Sequence, residues 1–145
     1  TNFGSKKLGD TFNVERSMRL GERIDGHMLS WHIDTVGIVC GRSLKSDGSL
    51  LLSVDFPREF WKYTIYKWSI ALSGVSLTII ESKITNGDAR ISVSLIPLTQ
   101  QMTNLGRLEV GAKLNIECDM IAKYVEKMLS HLDLKNRKFK TDAFS

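Results

Sequence analysis

One phrase occurs twice in this chain, and it sets the size of the folding unit. Residues 1–15, TNFGSKKLGDTFNVE, align without a gap to residues 103–117, TNLGRLEVGAKLNIE, at an offset of 102 residues. Six positions are identical, and four more exchange one apolar side chain for another. A repeat marks a structural unit used more than once, and a period near one hundred residues matches a small domain. We therefore expect residues 1–20 to be the end of a truncated first unit with its linker, and residues 21–119 to form a second unit.

The apolar residues of the second unit recur with a period of two, which is typical of β-strands. A Ser-Asp-Gly turn at 46–48 predicts a hairpin, and Pro97 ends a strand because it cannot donate to the ladder. Several short strands without strand–helix alternation favour an antiparallel barrel or sandwich, and a barrel leaves no exposed edges. The predicted strands are 29–34, 49–56, 69–80 with a Ser-Gly break, 91–96 and 113–118.

Two segments read as helical. Residues 57–64 open with proline, a good first-turn residue, and we expect them to plug one end of the barrel. Residues 120–132 carry apolar side chains at helical spacing, with Asp119 placed to cap the N-terminus. The apolar stripe of this second helix must be covered either by its own barrel or by a neighbouring subunit. Residues 133–145 form a basic tail that we expect to be flexible.

Composition excludes several classes of function. The net charge of +4 invites a nucleic-acid partner, but much of the excess lies in the basic tail. The strands also lack the exposed aromatic and basic residues that single-strand binders use, so we expect no nucleic acid. No apolar run approaches the ~20 residues that a membrane span needs. Cys40 and Cys118 show no metal or redox spacing, and we expect both to be free thiols.

Hydroxyl and imidazole groups are the candidates for chemistry. Ser76 and Thr78 lie two apart on one strand face, where a pair of hydroxyls can donate to and accept from a polar ring edge. From spacing alone, an ordinary strand surface explains this pair at least as well. His27 and His32 are five residues apart and point to opposite faces of a straight strand, so we expect no shared metal ion. Polar neighbours on both sides favour His32 as the site residue.

Four motifs decide between these alternatives because they resemble, in order and spacing, the C-terminal half of the riboflavin synthase family. They are GHMLSWHID at 26–34, SGVSLTI at 73–79, LIPLTQQMTNLG at 95–106 and GAKLNIECD at 111–119. The N-terminal phrase resembles the end of that family's first half. The resemblance implies an all-β fold, a six-stranded antiparallel Greek-key β-barrel followed by a C-terminal α-helix.

The resemblance also implies an activity. Riboflavin synthases dismutate two molecules of 6,7-dimethyl-8-ribityllumazine into riboflavin and 5-amino-6-ribitylamino-uracil, with no metal or cofactor. In that family each of two barrels binds one lumazine, and a trimer held by the C-terminal helices joins barrels of neighbouring subunits. We expect this chain alone to be weakly active or inactive. We place the parent protein in the cytoplasm, or in an organelle if a transit peptide preceded it. A non-catalytic lumazine- or flavin-binding protein of the same family is the alternative.

Position by position, the resemblance assigns roles to individual residues. Two positions depart from the family: Ser73 replaces an acidic or amide residue, and Trp31 replaces a glycine, so its large ring must find room beside His32. The implied catalytic residues are His32, Ser76 and Thr78, and the implied substrate-binding residues are Lys67, Gly74, Ser76, Thr78, Ile96 and Thr99.

Overall fold

The computed structural model of the chain describes residues 1–17, Arg19, Gly21 and 26–131. The predictions for the basic tail at 133–145 and for a helix end at Leu132 lie outside these residues. No helix in the described part of the chain is both long enough and apolar enough to cross a membrane.

Six antiparallel strands close into one barrel, which confirms the predicted fold class. Around the barrel the order is β1-β2-β5-β4-β3-β6, so β2 neighbours β5 and β3 neighbours β6. Alternate side chains of each strand point inward and form an apolar core that includes Leu52, Val54 and Val93, all fully buried. The strands are β1 (Thr35–Leu44), β2 (Leu50–Phe56), β3 (Ser69–Leu72), β4 (Val75–Thr85), β5 (Asp88–Leu95) and β6 (Lys113–Cys118).

Four of the five predicted strand regions are confirmed, and one is wrong. Residues 29–34 alternate perfectly in sequence but form irregular chain, in which Trp31 takes the left-handed value φ 64°. That conformation turns the backbone away from an extended path. The first strand instead runs from Thr35 to Leu44, where Gly37, Gly41 and a bulge interrupt the period-two signal.

Helices form at both predicted places, and a further short helix was not predicted. The segment Arg58–Tyr63 is a 3-10 helix whose Phe60 and Tyr63 pack against the barrel core. A short α1 (Pro97–Met102) begins at the proline that ends β5. The C-terminal helix α2 (Met120–His131) is capped by Asp119, whose carboxylate accepts the Ile121 N–H at 2.8 Å, as predicted.

The outer stripe of α2 is not covered by its own barrel. Salt bridges from Glu126 to Lys62 and from Lys123 to Asp34, both 2.7 Å, attach one side of the helix to the barrel. Five apolar residues of the helix nevertheless stay between 48% and 69% exposed; they are Ile121, Tyr124, Val125, Met128 and Leu129.

Candidate functional site

The barrel wall is open along one short edge. β5 stays paired with β2 up to Leu50↔Leu95, but its ladder with β4 stops at Ile79↔Val93, next to a bulge in β4. Within the described residues, positions 75–78 of β4 pair with β3 alone. Backbone N–H and C=O groups on their other side therefore face a gap instead of a neighbouring strand. We call residues 75–78 the open β4 edge.

Most of the predicted site residues gather at this edge. Extending the register past Ile79↔Val93 would set Ser76 opposite Ile96, which is exposed just after β5 ends. Thr78 is exposed on the open β4 edge, and Thr99 is half-buried in the first turn of α1. Two hydroxyls and unpaired backbone groups can bind the donors and acceptors of a flat polar ring.

Lys67 is placed differently. Its backbone N–H donates to the Ile79 carbonyl at 2.8 Å, so it lies on the β3 side of β4, away from the gap. Its ammonium group lies 5.6 Å from the ring centroid of Tyr66, and its side chain is exposed. The structure therefore does not bring the Lys67 amine to the open β4 edge.

The turn before the open β4 edge has a constrained backbone. Ser73 (φ 47°) and Gly74 (φ 81°) both lie in the left-handed region, as a type I′ hairpin turn between Leu72 and Val75 requires. A Cβ at position 74 would lie 3.2 Å from the Trp31 ring, so glycine also gives that ring its space. The Trp31 ring thus finds room over this turn and stays 53% exposed.

His27, and not the predicted site residue His32, contacts Ser76 on the open β4 edge. His27 Nδ1 lies 2.7 Å from the Ser76 hydroxyl, while His32 is exposed. Gly26 permits this approach, because a Cβ there would come within 2.7 Å of the same hydroxyl. The preference for His32 rests on a strand at 29–34 that does not form. The Gly-His pair at 26–27 is the signal that could have pointed to His27.

The His27 imidazole is mostly uncharged at neutral pH. Burial lowers its pKa below the ordinary value, and the carboxylates of Asp119 and Glu117 offset only part of that effect. Its Nε2 atom is buried and, among the described residues, has no hydrogen-bond partner. An imidazole in this state can exchange a proton with the Ser76 hydroxyl through Nδ1.

Buried acidic residues hold the segment 26–34 against the barrel. Glu117, only 4% exposed, accepts the Ser30 backbone N–H at 2.6 Å and the Ser30 hydroxyl at 2.7 Å through the same oxygen. Asp34 accepts the Cys118 N–H at 2.7 Å and binds the Lys123 ammonium. These contacts fix the middle and the C-terminal end of the segment that carries His27 and Trp31.

Metal-binding geometry is absent from the described part of the chain, where no three His, Cys, Asp or Glu residues converge. Cys40 and Cys118 are free thiols, as expected. Burial raises the pKa of the Cys40 thiol to about 11 and that of Cys118 to about 12, so neither is a reactive thiolate at neutral pH.

Comparison with known proteins identifies the family. A family model of the lumazine binding domain matches residues 30–119, which include β1 to β6 and the open β4 edge. The chain belongs to the lumazine-binding domain family. The chain is 35% identical over 129 residues to riboflavin synthase of Mycobacterium tuberculosis, a match that covers 89% of the chain and 63% of that protein.

Two further riboflavin synthases match at similar levels. The Schizosaccharomyces pombe enzyme is 37% identical over 131 residues, covering 89% of this chain and 60% of the enzyme. The Escherichia coli enzyme is 37% identical over 128 residues, covering 82% and 54%. The chain therefore spans less than two thirds of the length of these relatives.

Solved structures agree with the family assignment. LumP complexed with 6,7-dimethyl-8-(1'-D-ribityl) lumazine superposes with a TM-score of 0.67 at 26% identity, covering 81% of this chain and 60% of LumP. LumP complexed with riboflavin gives a TM-score of 0.65 at 25% identity, covering 81% and 61%.

Proposed function

We propose that this chain supplies the C-terminal-barrel half of a riboflavin synthase active site, in which one molecule of 6,7-dimethyl-8-ribityllumazine binds at the open β4 edge. The observation that carries the proposal is the Ser76 hydroxyl, held by His27 on a strand edge that has no paired strand among the described residues. Its relatives among riboflavin synthases give the reaction: one lumazine transfers a four-carbon unit to another, yielding riboflavin and 5-amino-6-ribitylamino-uracil.

In this proposal the ring binds through the backbone. The N–H and C=O groups of Gly74, Ser76, Thr78 and Ile96 bind the polar edge of the ring, because those of Val75 and Leu77 are paired with β3. The Thr78 hydroxyl adds a side-chain contact. Thr99 contacts the ribityl chain. The resemblance assigns Lys67 to the same ligand, although its backbone lies on the β3 side of β4. A ligand bound edge-on to a strand gains directional hydrogen bonds without requiring a deep pocket.

The chemistry needs only a modest base. The methyl group on carbon 7 of the lumazine is acidic because its anion delocalises into the ring, so hydrogen bonds to the developing charge and a positioned base suffice. Uncharged His27 is the base in a concerted relay: the Ser76 oxygen takes the methyl proton as its own hydroxyl proton moves to His27 Nδ1, and the relay reverses when the product forms. His32, which is exposed and follows Trp31 in the chain, belongs to the proposal as a second proton carrier. Holding two lumazines face to face supplies much of the remaining rate enhancement.

The second lumazine requires a second barrel. We assign residues 1–20 to the end of a first barrel with its linker, 21–119 to the second barrel, 120–132 to an association helix and 133–145 to a tail. The exposed apolar stripe on α2 supports self-association, which in the parent family is a trimer. The parent protein is a transferase of the cytoplasm or of an organelle.

A non-catalytic role in lumazine or flavin binding is the second candidate. It is favoured by the similarity to LumP, whose structures hold a lumazine and riboflavin. Ser73 and Trp31, which depart from the synthase pattern, are both in the turn region beside the open β4 edge.

One experiment separates the two candidates. The chain is titrated with 6,7-dimethyl-8-ribityllumazine, and lumazine and riboflavin emission are followed for hours, with and without the separately produced N-terminal half of a synthase. We expect saturable binding by the chain alone, and riboflavin formation that increases at least tenfold (about 1.4 kcal/mol) when the other half is added. Binding without any turnover in the mixture would favour the non-catalytic role.

Matched variants make the test specific to the site. Ser76→Ala is expected to abolish most turnover in the mixture, whereas Ser43→Ala, an exposed serine on β1, should leave it unchanged. Equal activity of the two variants would contradict the role of Ser76. Absence of lumazine binding to the wild-type chain would contradict both candidate functions.

A further inference from the structure

The two copies of the repeated phrase bind each other. The backbone N–H of Asn2 donates to the side-chain oxygen of Asn115 at 2.6 Å. The backbone N–H of Asn104 donates to the side-chain oxygen of Asn13 at 2.8 Å. Asn2 and Asn104 are at equivalent positions of the repeat, and so are Asn13 and Asn115. The two hydrogen bonds are therefore equivalent, because exchanging the two copies turns one bond into the other. We call these four residues the asparagine clasp.

A second pair of bonds repeats the exchange. The side-chain amide of Asn2 donates to the Lys113 carbonyl at 2.8 Å, and that of Asn104 donates to the Thr11 carbonyl at 2.9 Å. Positions 11 and 113 are again equivalent in the repeat. Four bonds in two exchanged pairs indicate local two-fold symmetry between the copies, which a chance contact of an exposed segment would not produce.

Asn13 makes a further contact, outside these symmetric pairs, with the turn that precedes the open β4 edge. Its side-chain amide donates to the Ser73 carbonyl at 2.9 Å, and the Ser73 N–H donates to the Asn115 carbonyl at 2.8 Å. Two equivalent residues, one from each copy, thus hold the same turn residue. Because Ser73 is a non-glycine residue at φ 47°, its conformation persists only while the surrounding contacts maintain it.

The side chain of Asn13 is fully used in this position. Its amide donates to Ser73 and to the side-chain oxygen of Asn104 at 3.0 Å, and its oxygen accepts the Asn104 N–H. These bonds form only when the first copy of the repeat is docked on the barrel. The turn therefore loses one of its two ties whenever residues 1–17 detach.

We propose that Asn13 is a positioning residue that couples docking of the first repeat copy to ligand binding, by fixing the turn from which the open β4 edge begins. The ligand in question rests on the proposed function. Coupling between two binding events is reciprocal, so ligand binding must also strengthen docking of residues 1–17. Whether residues 1–17 are docked on the barrel would thus set the affinity of the ligand site.

The first test compares Asn13→Ala with Asn2→Ala. Both variants weaken the asparagine clasp, but only Asn13 touches Ser73. Without ligand, hydrogen exchange at the amides of residues 73–75 should accelerate several-fold in Asn13→Ala and less in Asn2→Ala. In a fluorescence titration, Asn13→Ala should weaken lumazine binding about tenfold, which corresponds to one hydrogen bond to a strained turn, and Asn2→Ala no more than about threefold.

A second test measures the reverse effect, that of ligand binding on the docking of residues 1–17. Trypsin should cut at the exposed residues Lys7 and Arg16, and lumazine should slow that cleavage in the wild-type chain but not in Asn13→Ala. If Asn13→Ala fails to fold, Asn13→Asp keeps the oxygen that accepts the Asn104 N–H and removes both donors, and it should behave in the same way.

The outcomes separate this inference from the proposed function. Equal losses of affinity in Asn13→Ala and Asn2→Ala, or unchanged exchange at residues 73–75 in Asn13→Ala, would overturn the role of Asn13. A wild-type chain that binds no lumazine would overturn the proposed function, while the exchange comparison would still decide whether Asn13 holds the turn.

Discussion

The two copies of the repeated phrase have similar sequences and different structures. Residues 113–118 of the second copy form β6, with Leu114 and Ile116 fully buried. The equivalent residues 11–16 of the first copy form no strand, and Phe12 and Val14 are 49% and 91% exposed. β6 has β1 on one side and β3 on the other, whereas the described residues offer the first copy no such neighbours. A strand forms where partners exist, whatever its own pattern favours.

Local features, in contrast, are the same in both copies. Gly9 and Gly111 take nearly equal left-handed conformations, φ 99° and 92°. Each copy also begins with a short 3-10 helix, at Phe3–Ser5 and at Asn104–Arg107. Turns and single helical turns depend on contacts within a few residues, so a repeated phrase reproduces them without help from the rest of the fold.

The largest expected difference between the copies is in core packing. Ile116→Ala removes a fully buried side chain and should lower the free energy of unfolding by about 3 kcal/mol. Val14→Ala, at the equivalent position, should change it by less than about 0.5 kcal/mol, because Val14 is exposed. Urea unfolding of the two variants measures both values. Similar losses in the two variants would show that the first copy packs against an apolar surface in solution.

A smaller difference is expected from the glutamates that end the two copies. Glu117→Ala leaves the buried N–H and hydroxyl of Ser30 without their acceptor, and should cost about 2 kcal/mol of stability. Glu15→Ala should be close to neutral, because Glu15 is exposed. Thermal unfolding compares the two, and Glu117→Gln, which keeps an oxygen acceptor, should recover part of the loss. No recovery would mean that the charge, not the hydrogen bonds, holds the segment 26–34.

The same distinction between local and distant contacts explains what the sequence predicts. Period-two patterns placed β2 to β6, and the Asp119 cap and the proline at the end of β5 followed from local chemistry. The strand predicted at 29–34 fails because its backbone is set by Glu117 and Asp34 contacts to β6, more than eighty residues away. His27 was missed for the same reason, because the contact that makes it a site residue is with Ser76, which is 49 positions away in the sequence.

The smallest expected effect of the two glutamates is on the pKa of His27 in the candidate site. The pKa of His27 lies below its ordinary value of 6.5 because of burial, and the Glu117 carboxylate partly opposes that shift. Glu117→Gln should therefore lower the pKa of His27 further, whereas Glu15→Gln should leave it unchanged. An NMR titration of the His27 ring proton measures this directly.

The sign of this shift also sets a pH dependence. Below about pH 6.5 the unfolded chain binds a proton at His27 that the folded chain resists, so stability falls as the pH decreases through that range and is restored above it. The loss should be steeper in Glu117→Gln than in Glu15→Gln, because the folded-state pKa is then further from the unfolded one. A His27 pKa that stays the same in Glu117→Gln would assign the opposing charge to Asp119 alone. The difference between the two repeat copies would then be one of packing and hydrogen bonding, without an electrostatic effect on the site.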